Sequence, residues 1–301
     1  MANPLVSVIV LTYNHGAFIE KCLSSVLDQE TDFAFEIIVS DDASADTTPA
    51  KVKKISSIVS FVKFQENKKN LGAARNFESA LNQCSGEFIA FCEGDDFWCD
   101  PKKLAKQVEI LKKDSSSSLV YANYGKVDED GKLIEKEVLT PAKNSFGLHD
   151  FMEGHGPTIH SMMVRRSIFP EKLPKAFFKV HNPDVFIIGW ALAMGRGAYI
   201  AETLSMYRVH QGGIYASMSR SEKKLLRYAT RMEFFGAMPL SYRSFYNTAI
   251  LKLEETLART KRTGEKRLFA KYIALLPLGR RLLLILKRNY YKAKTGGRRK
   301  S

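Results

Sequence analysis

The sequence predicts an α/β fold: a doubly wound, mostly parallel sheet followed by a helical C-terminal extension. Three observations predict it. Strand-like and helix-like segments alternate from the first residues to about residue 114. The opening run "LVSVIVLT" (5–12) is apolar and β-branched throughout, the pattern of a strand covered on both faces. From about residue 219 onward only helical spacing remains.

The elements follow in order. "HGAFIEKCLSSVLDQ" (15–29) sets Phe18, Ile19, Cys22, Leu23, Val26 and Leu27 at helical spacing, so one face of a helix is apolar. "FEIIVSDD" (35–42) reads as the second strand. "SADTTPAKVKKISSIV" (44–59) reads as the second helix, with Asp46 or Thr47 placed to cap it and Pro49 in the first turn, where a missing N–H costs nothing. The strand "FVKFQE" (61–66), the helix "AARNFESALNQC" (73–84), the strand "GEFIAFC" (86–92) and the helix "PKKLAKQVEILKKD" (101–114) complete four βα units. Such alternation builds a parallel sheet with crossover helices. The rhythm then changes. Residues 118–139 read as a hairpin with Asp130 and Gly131 at its turn, 158–166 as a strand, 184–195 as a helix and 198–210 as a last strand. The expected division is 1–216 as one domain, with halves 1–114 and 115–216, and 217–301 as a helical, basic extension.

At 301 residues and 45% hydrophobic content the chain can bury a large core, which excludes a disordered protein. Cys22, Cys84, Cys92 and Cys99 lack metal-ligand spacing and fall in apolar segments, so free thiols and a reducing compartment are expected. The N-terminus runs into a strand with no basic segment or cleavage site, so export is not expected. The net charge of +14 is unevenly spread. Residues 251–301 hold 16 Lys and Arg against 3 acids, which leaves the first 250 residues almost neutral at 30 against 29. A polyanionic partner would therefore meet the tail, and no specific nucleic-acid site is expected on the main domain. In "LFAKYIALLPLGRRLLLILKRNYYKAK" (268–294) the apolar runs are too short to cross a bilayer, which needs about 20 residues. The mixture suits an interfacial helix on anionic headgroups, with Leu282 to Leu286 as its apolar run and Tyr290 and Tyr291 at the boundary. Docking of the tail on the domain as a helical pair and nonspecific binding to polyanions are the competing readings.

In a doubly wound sheet ligands bind beyond the carboxyl ends of the strands. The residues that close the strands here are Thr12, Tyr13 and Asn14, then Asp41 and Asp42, then Asn67 and Asn70, then Glu93, Asp95 and Asp96 in "FCEGDDFW". Buried carboxylates need positive partners. No GxGxxG follows the first strand and no GxxxxGK[ST] occurs anywhere, which argues against dinucleotide and P-loop sites. Strand-end carboxylates instead suit a polyphosphate gripped through Mn²⁺ or Mg²⁺.

Four segments in order, "VSVIVLTYNHGAFIEKCLSSVLDQ", "EIIVSDDASADTT", "NLGAARNF" and "CEGDDFWCDPKKL", resemble glycosyltransferase family 2, nucleotide-sugar transferases of the Rossmann-like GT-A fold. "YRVHQGG" (207–213) is similar to the segment that closes the catalytic domain in many members, so the likeness covers about residues 4–216. The resemblance implies inverting transfer of a sugar from a nucleoside diphosphate, most often uridine diphosphate, to a glycan or lipid-linked acceptor. It implies that Thr12, Tyr13, Asn14, Asp41, Asp42 and Arg75 surround the nucleotide, with Glu93 at the ribose where Asp is more usual. It further implies Asp95, Asp96 and His210 at a divalent cation, Arg208 beside the leaving group and Asp184 as the general base. Such an enzyme would be cytoplasmic and peripheral at the inner face of the cell membrane. Several of these residues also have a plain alternative: Asp41, Asp42 and Asp184 can cap helices, Glu93 can pair with a neighbouring cation, and His210 can be a structural histidine. A sugar nucleotidyltransferase and a non-catalytic polyanion-binding module on the same fold are the alternative functions.

Overall fold

The computed structural model describes residues 3–139, 145–153, 156–180, 182–213, 218–262, 272–274 and 276. Residues 1–216 and 217–301 form two compact units. The first unit contains strands β1 (Val6–Thr12), β2 (Phe35–Asp41), β3 (Val62–Glu66), β4 (Phe88–Glu93), β5 (Phe97–Trp98), β6 (Ser117–Val127), β7 (Leu133–Glu135), β8 (Ser145–Phe146), β9 (Met162–Arg165) and β10 (Arg196–Arg208). Its helices are α1 (Ile19–Leu27), α2 (Thr48–Ser56), α3 (Ala73–Leu81), α4 (Lys103–Lys113), α5 (Leu148–Met152) and α6 (Pro183–Met194).

One sheet runs in the order β3-β2-β1-β4-β9-β6-β10-β5, with β7 on β6 and β8 on β10. The first four strands are parallel, as the βα rhythm predicts, with β1 between β2 and β4. Strand β9 runs antiparallel to both β4 and β6, and β10 is parallel to β6. The apolar β1 is buried on both faces because α1 covers one of them. Ile19, Cys22, Leu23 and Val26 of α1 are fully buried in one cluster with Val8, Val10, Ile37, Val39, Phe88 and Ala90. Each such large aliphatic side chain contributes roughly 1.5–3 kcal/mol, and Leu23→Ala would cost about 2–5 kcal/mol.

The elements differ from expectation mainly at their ends. Helix α1 begins at Ile19, because the Phe18 and Ile19 amides both donate to the His15 carbonyl and make a turn of the preceding residues. Of the two residues expected to cap α2, Thr47 occupies the N-cap position without a side-chain bond, and Asp46 just before it accepts at Oδ1 from Thr48 N at 2.9 Å and from Thr48 Oγ1. The 118–139 hairpin is β6 and β7, with Gly131 at φ +85° in the turn, a conformation glycine adopts without strain. Strand β5 was not legible: two residues carry no periodicity.

Two buried ionisable side chains belong to the framework. On β2, Glu36 Oε1 accepts from Ser7 Oγ, Ser85 N and Ser85 Oγ at 2.6–2.7 Å, and Oε2 from Lys63 Nζ at 2.6 Å. Burial alone would raise this carboxyl, but the hydrogen bonds from Lys63, Ser7 and Ser85 outweigh it and lower its pKa to about 2. On α4, Lys103 is 0% exposed; its Nζ donates to Gln107 Oε1 at 2.9 Å and lies 4.1 Å from the centre of the Trp98 ring. Cys22, Cys84 and Cys92 are buried free thiols, and Cys99 is free and exposed.

The second unit pairs α7 (Arg220–Ala237) with α8 (Arg243–Arg262). Ser219 caps α7 by accepting from Glu222 N. Leu225, Met232 and Phe235 of α7 and Ile250, Leu253 and Leu257 of α8 are buried. Among the described residues no helix is long and apolar enough to cross a membrane. The 268–294 tail, with Leu282 to Leu286, Tyr290 and Tyr291, lies outside the described residues apart from 272–274 and 276.

Candidate active site

The parallel strands deliver their polar ends to one rim, and hydrogen bonds sew the loops there together. Beyond β1, Asn14 adopts a left-handed φ of 57°, which its short side chain tolerates. Its amide donates to Ser44 Oγ and its Oδ1 accepts from Ala45 N, both at 2.8 Å. Gly16 N donates to Asp46 Oδ2 at 2.8 Å, and a Cβ on Gly16 would stand 2.4 Å from Thr47 Oγ1 and 2.8 Å from Asp46 Oδ2, so a side chain there would displace both. Tyr13 is exposed at the tip. Thr12 is buried, its Oγ1 without a hydrogen bond among the described residues.

Past β2 the two acids point different ways. Asp41 closes a turn, accepting from Ser44 N at 2.8 Å and from Ser44 Oγ, and burial raises its pKa in spite of these bonds. Ala43 holds a φ of 62°, a strained value for alanine that keeps this turn tight. Asp42 is committed elsewhere: it accepts from Leu71 N at 2.7 Å, Gly72 N at 2.9 Å and Asn67 Nδ2 at 3.1 Å. That carboxylate fixes the 67–72 loop ahead of α3. Arg75, on the first turn of α3, is exposed and lies 4.9 Å from the Phe178 ring.

The acids after β4 divide in the same way. Asp95 Oδ2 stands 3.1 Å from His210 Nε2 and 3.6 Å from His15 Nε2. Burial would raise Asp95, but the His210 hydrogen bond and the nearby His15 outweigh it and lower its pKa. Burial raises Glu93 well above the usual carboxylate range, and the charges of Asp95 and Asp184 add to the effect. Asp184, in the first turn of α6, thus lies within electrostatic reach of the acidic loop. Asp96 turns inward, against the expectation of a rim ligand. It is 1% exposed, and its Oδ1 accepts from Arg208 N at 2.8 Å. Arg208 is also occupied: its guanidinium donates to the carbonyls of Asp95, Asp128 and Glu129 and lies over the Phe18 and Phe97 rings. It ties the β6–β7 turn to the acidic loop.

Two histidines escaped the sequence reading. His15 sits in the turn that delays α1, and its place one residue after Asn14 was the available signal. Gly94 makes room for it, since a Cβ there would lie 2.8 Å from both His15 Nδ1 and Thr12 Oγ1. His160 is fully buried, bonded to Ser205 Oγ at 3.0 Å and Thr158 Oγ1 at 2.9 Å; burial and then the Lys103 charge lower its pKa to about 3, so it is neutral. Nothing in its local sequence marks it. A cavity of about 860 Å³ opens by Leu5, Gly86, Arg165 and Phe169 at the opposite ends of β1 and β4 and holds none of the expected residues.

Among the described residues no three imidazole, thiol or carboxylate groups form a closed cage for a metal. The rim offers a pair, Asp95 and His210, with mixed oxygen and nitrogen donors. Such a pair fits a Mn²⁺ or Mg²⁺ whose remaining positions are filled by phosphate oxygens and water.

The family model for glycosyl transferase family 2 matches residues 7–172. A UDP-Glc:alpha-D-GlcNAc-diphosphoundecaprenol beta-1,3-glucosyltransferase of Escherichia coli, WfgD, is 36% identical over 62% of this chain and 69% of its own length. The chain spans 62% of the length of uncharacterized mycobacterial relatives that it matches at 27% identity. Staphylococcus aureus TarS, solved with UDP-GlcNAc, superposes with a TM-score of 0.63 at 20% identity, over 94% of this chain and 87% of that one. The mannosyltransferase PcManGT of Pyrobaculum calidifontis, solved with GDP-Man and Mn²⁺, gives 0.57 at 19% identity, over 98% and 87%. These solved structures share the GT-A fold, and the chain belongs to glycosyl transferase family 2.

Proposed function

We propose that the protein is an inverting, cation-dependent glycosyltransferase. It would move a sugar from a nucleoside diphosphate, with uridine diphosphate the expected carrier, to a hydroxyl of a surface polysaccharide or lipid-linked glycan. The observation that carries this reading is the pairing of Asp95 Oδ2 with His210 Nε2 at 3.1 Å, on the rim where the parallel strands end. The name of WfgD and the UDP-GlcNAc and GDP-Man bound by the solved neighbours support the donor class.

In this reading Thr12, Tyr13, Asn14 and Asp41 receive the nucleoside and Glu93 its ribose, with Arg75 beside them. Asp95 and His210 would hold Mn²⁺ or Mg²⁺, which would supply positive charge to offset that developing on the diphosphate. Asp184 accepts the proton of the acceptor hydroxyl. The freed oxygen bonds to the anomeric carbon, the bond from that carbon to the phosphate oxygen breaks, and its electron pair leaves with the nucleoside diphosphate. Attack opposite the leaving group inverts the centre. Asp42 and Arg208 serve by holding loops. The basic 268–294 segment would keep the enzyme at the inner face of the membrane, where a lipid-linked acceptor lies.

Incubation with labelled UDP-Glc, UDP-GlcNAc and GDP-Man and Mn²⁺ tests the reaction class. Release of nucleoside diphosphate supports transfer, release of pyrophosphate indicates nucleotidyl chemistry, and release of neither from any donor with lipid-linked acceptors present refutes the proposal.

A further inference from the structure

We propose that Asp96 is a positioning residue and not a ligand of the cation: its carboxylate braces the end of β10 so that His210 meets Asp95. The inference rests on the reading of Asp95 and His210 as the cation pair, and it removes Asp96 from that set.

Asp96 N donates to the Glu93 carbonyl at 2.9 Å, closing a tight turn after β4. The two aspartates leave this turn in different directions. The Asp95 side chain remains 18% exposed at the rim, whereas that of Asp96 is 1% exposed. Strand β5 follows at once and pairs with β10 through Trp98 with Ser205 and Phe97 with Met206. There the antiparallel pairing of backbones stops. The next amide of β10 in need of an acceptor, that of Arg208, is taken by Asp96 Oδ1 at 2.8 Å, so a side chain continues what the ladder began. Arg208 Nε then donates to the Asp95 carbonyl at 3.0 Å. Two residues further on, His210 Nε2 reaches Asp95 Oδ2 at 3.1 Å. The chain between the brace and the imidazole is one residue long, which leaves little freedom once Arg208 is fixed.

Turning Oδ1 of Asp96 to the rim as a ligand would break the Arg208 bond and strand a buried amide, at a cost of about 1–3 kcal/mol. Its second oxygen, Oδ2, is buried without a hydrogen bond among the described residues and lies 4.0 Å from His160 Nε2, a ring nitrogen already bonded to Thr158 Oγ1. Partners behind a metal ligand typically carry about 10–100-fold in metal affinity.

The test uses the full chain with Mn²⁺ and UDP as probes, comparing wild type, Asp95→Asn, Asp96→Asn and Asp96→Leu by calorimetric titration, together with hydrogen exchange at the Arg208 amide. Asp96→Asn keeps an oxygen acceptor at Oδ1. It is expected to bind Mn²⁺ with UDP within about threefold of wild type and to keep the Arg208 amide protected. Asp96→Leu is expected to lose about 10–100-fold in Mn²⁺ affinity while remaining folded, with fast exchange at Arg208. Asp95→Asn should lose Mn²⁺-assisted binding and retain the protection. The proposal is overturned if Asp96→Asn falls as far as Asp95→Asn, or if Asp96→Leu leaves both Mn²⁺ affinity and Arg208 protection unchanged. Should wild type take up no Mn²⁺ with UDP, the cation reading fails and the positioning role with it, whereas the exchange at Arg208 still reports whether the brace exists.

Discussion

Lys103 offers a quantitative test of the packing beneath the acidic loop. Its ammonium is wholly buried, with one hydrogen-bond acceptor, Gln107 Oε1, and the face of Trp98, whose own Nε1 donates to the His160 carbonyl. Burial lowers its pKa from 10.5 to about 7. In the unfolded chain the amine keeps its proton up to about pH 10.5, and in the folded chain it releases it near 7. Between these values the unfolded state binds more protons, so stability rises with pH. A shift of about 3.5 units corresponds to roughly 5 kcal/mol across the whole window. About 2 kcal/mol of that falls between pH 7 and pH 9. Lys103→Met keeps an unbranched stem and removes the titrating amine. Urea unfolding of both proteins at pH 7 and pH 9 should show wild type gaining about 2 kcal/mol relative to the variant. At pH 7 the variant should be the more stable, since the cost of burying the charge exceeds the roughly 2 kcal/mol that a desolvated cation over an indole returns. Parallel pH curves for the two proteins would refute a neutralised buried lysine.

The remaining predictions address the sheet, the loops and the base. Glu36 has its folded pKa lowered from 4.5 to about 2, so its stabilisation is complete above about pH 4.5 and is lost as pH falls toward 2. Screening at the half-exposed Lys63 reduces the contribution to roughly 1–2 kcal/mol; Glu36→Gln should flatten acid unfolding in that window, measured by circular dichroism. Asp42→Ala unties Leu71 N, Gly72 N and Asn67 from one carboxylate and should cost about 1–3 kcal/mol, with proteolytic cleavage appearing at 67–72. Asp184→Asn should lower transfer about 10²–10⁴-fold while UDP binding is unchanged, and an equal loss of UDP binding would deny it the role of base.

The parallel half of the sheet was legible because its signals are local. The β-branched run of β1 and the 3.6-residue spacing of α1 each fix one element without knowledge of the rest. The strand-end position of the acids followed from the same alternation. What stayed hidden depends on partners far along the chain. Asp95 and Asp96 are neighbours of one type, and it is Arg208 and His210, more than a hundred residues away, that hold one inward and the other at the rim. The amides of Leu71 and Gly72 that close on Asp42 lie about thirty residues further along the chain. His160 enters from the segment before β9, whose antiparallel insertion between β4 and β6 no periodicity announces.

The central claim is that Asp95 and His210 hold a cation that in turn holds a nucleoside diphosphate. Calorimetric titration of UDP into the full chain, with Mn²⁺ and then with the metal chelated, tests it most directly. The account predicts that chelation weakens UDP binding in wild type and makes no difference in Asp95→Asn. Binding of UDP to wild type with the same affinity in both conditions would contradict it.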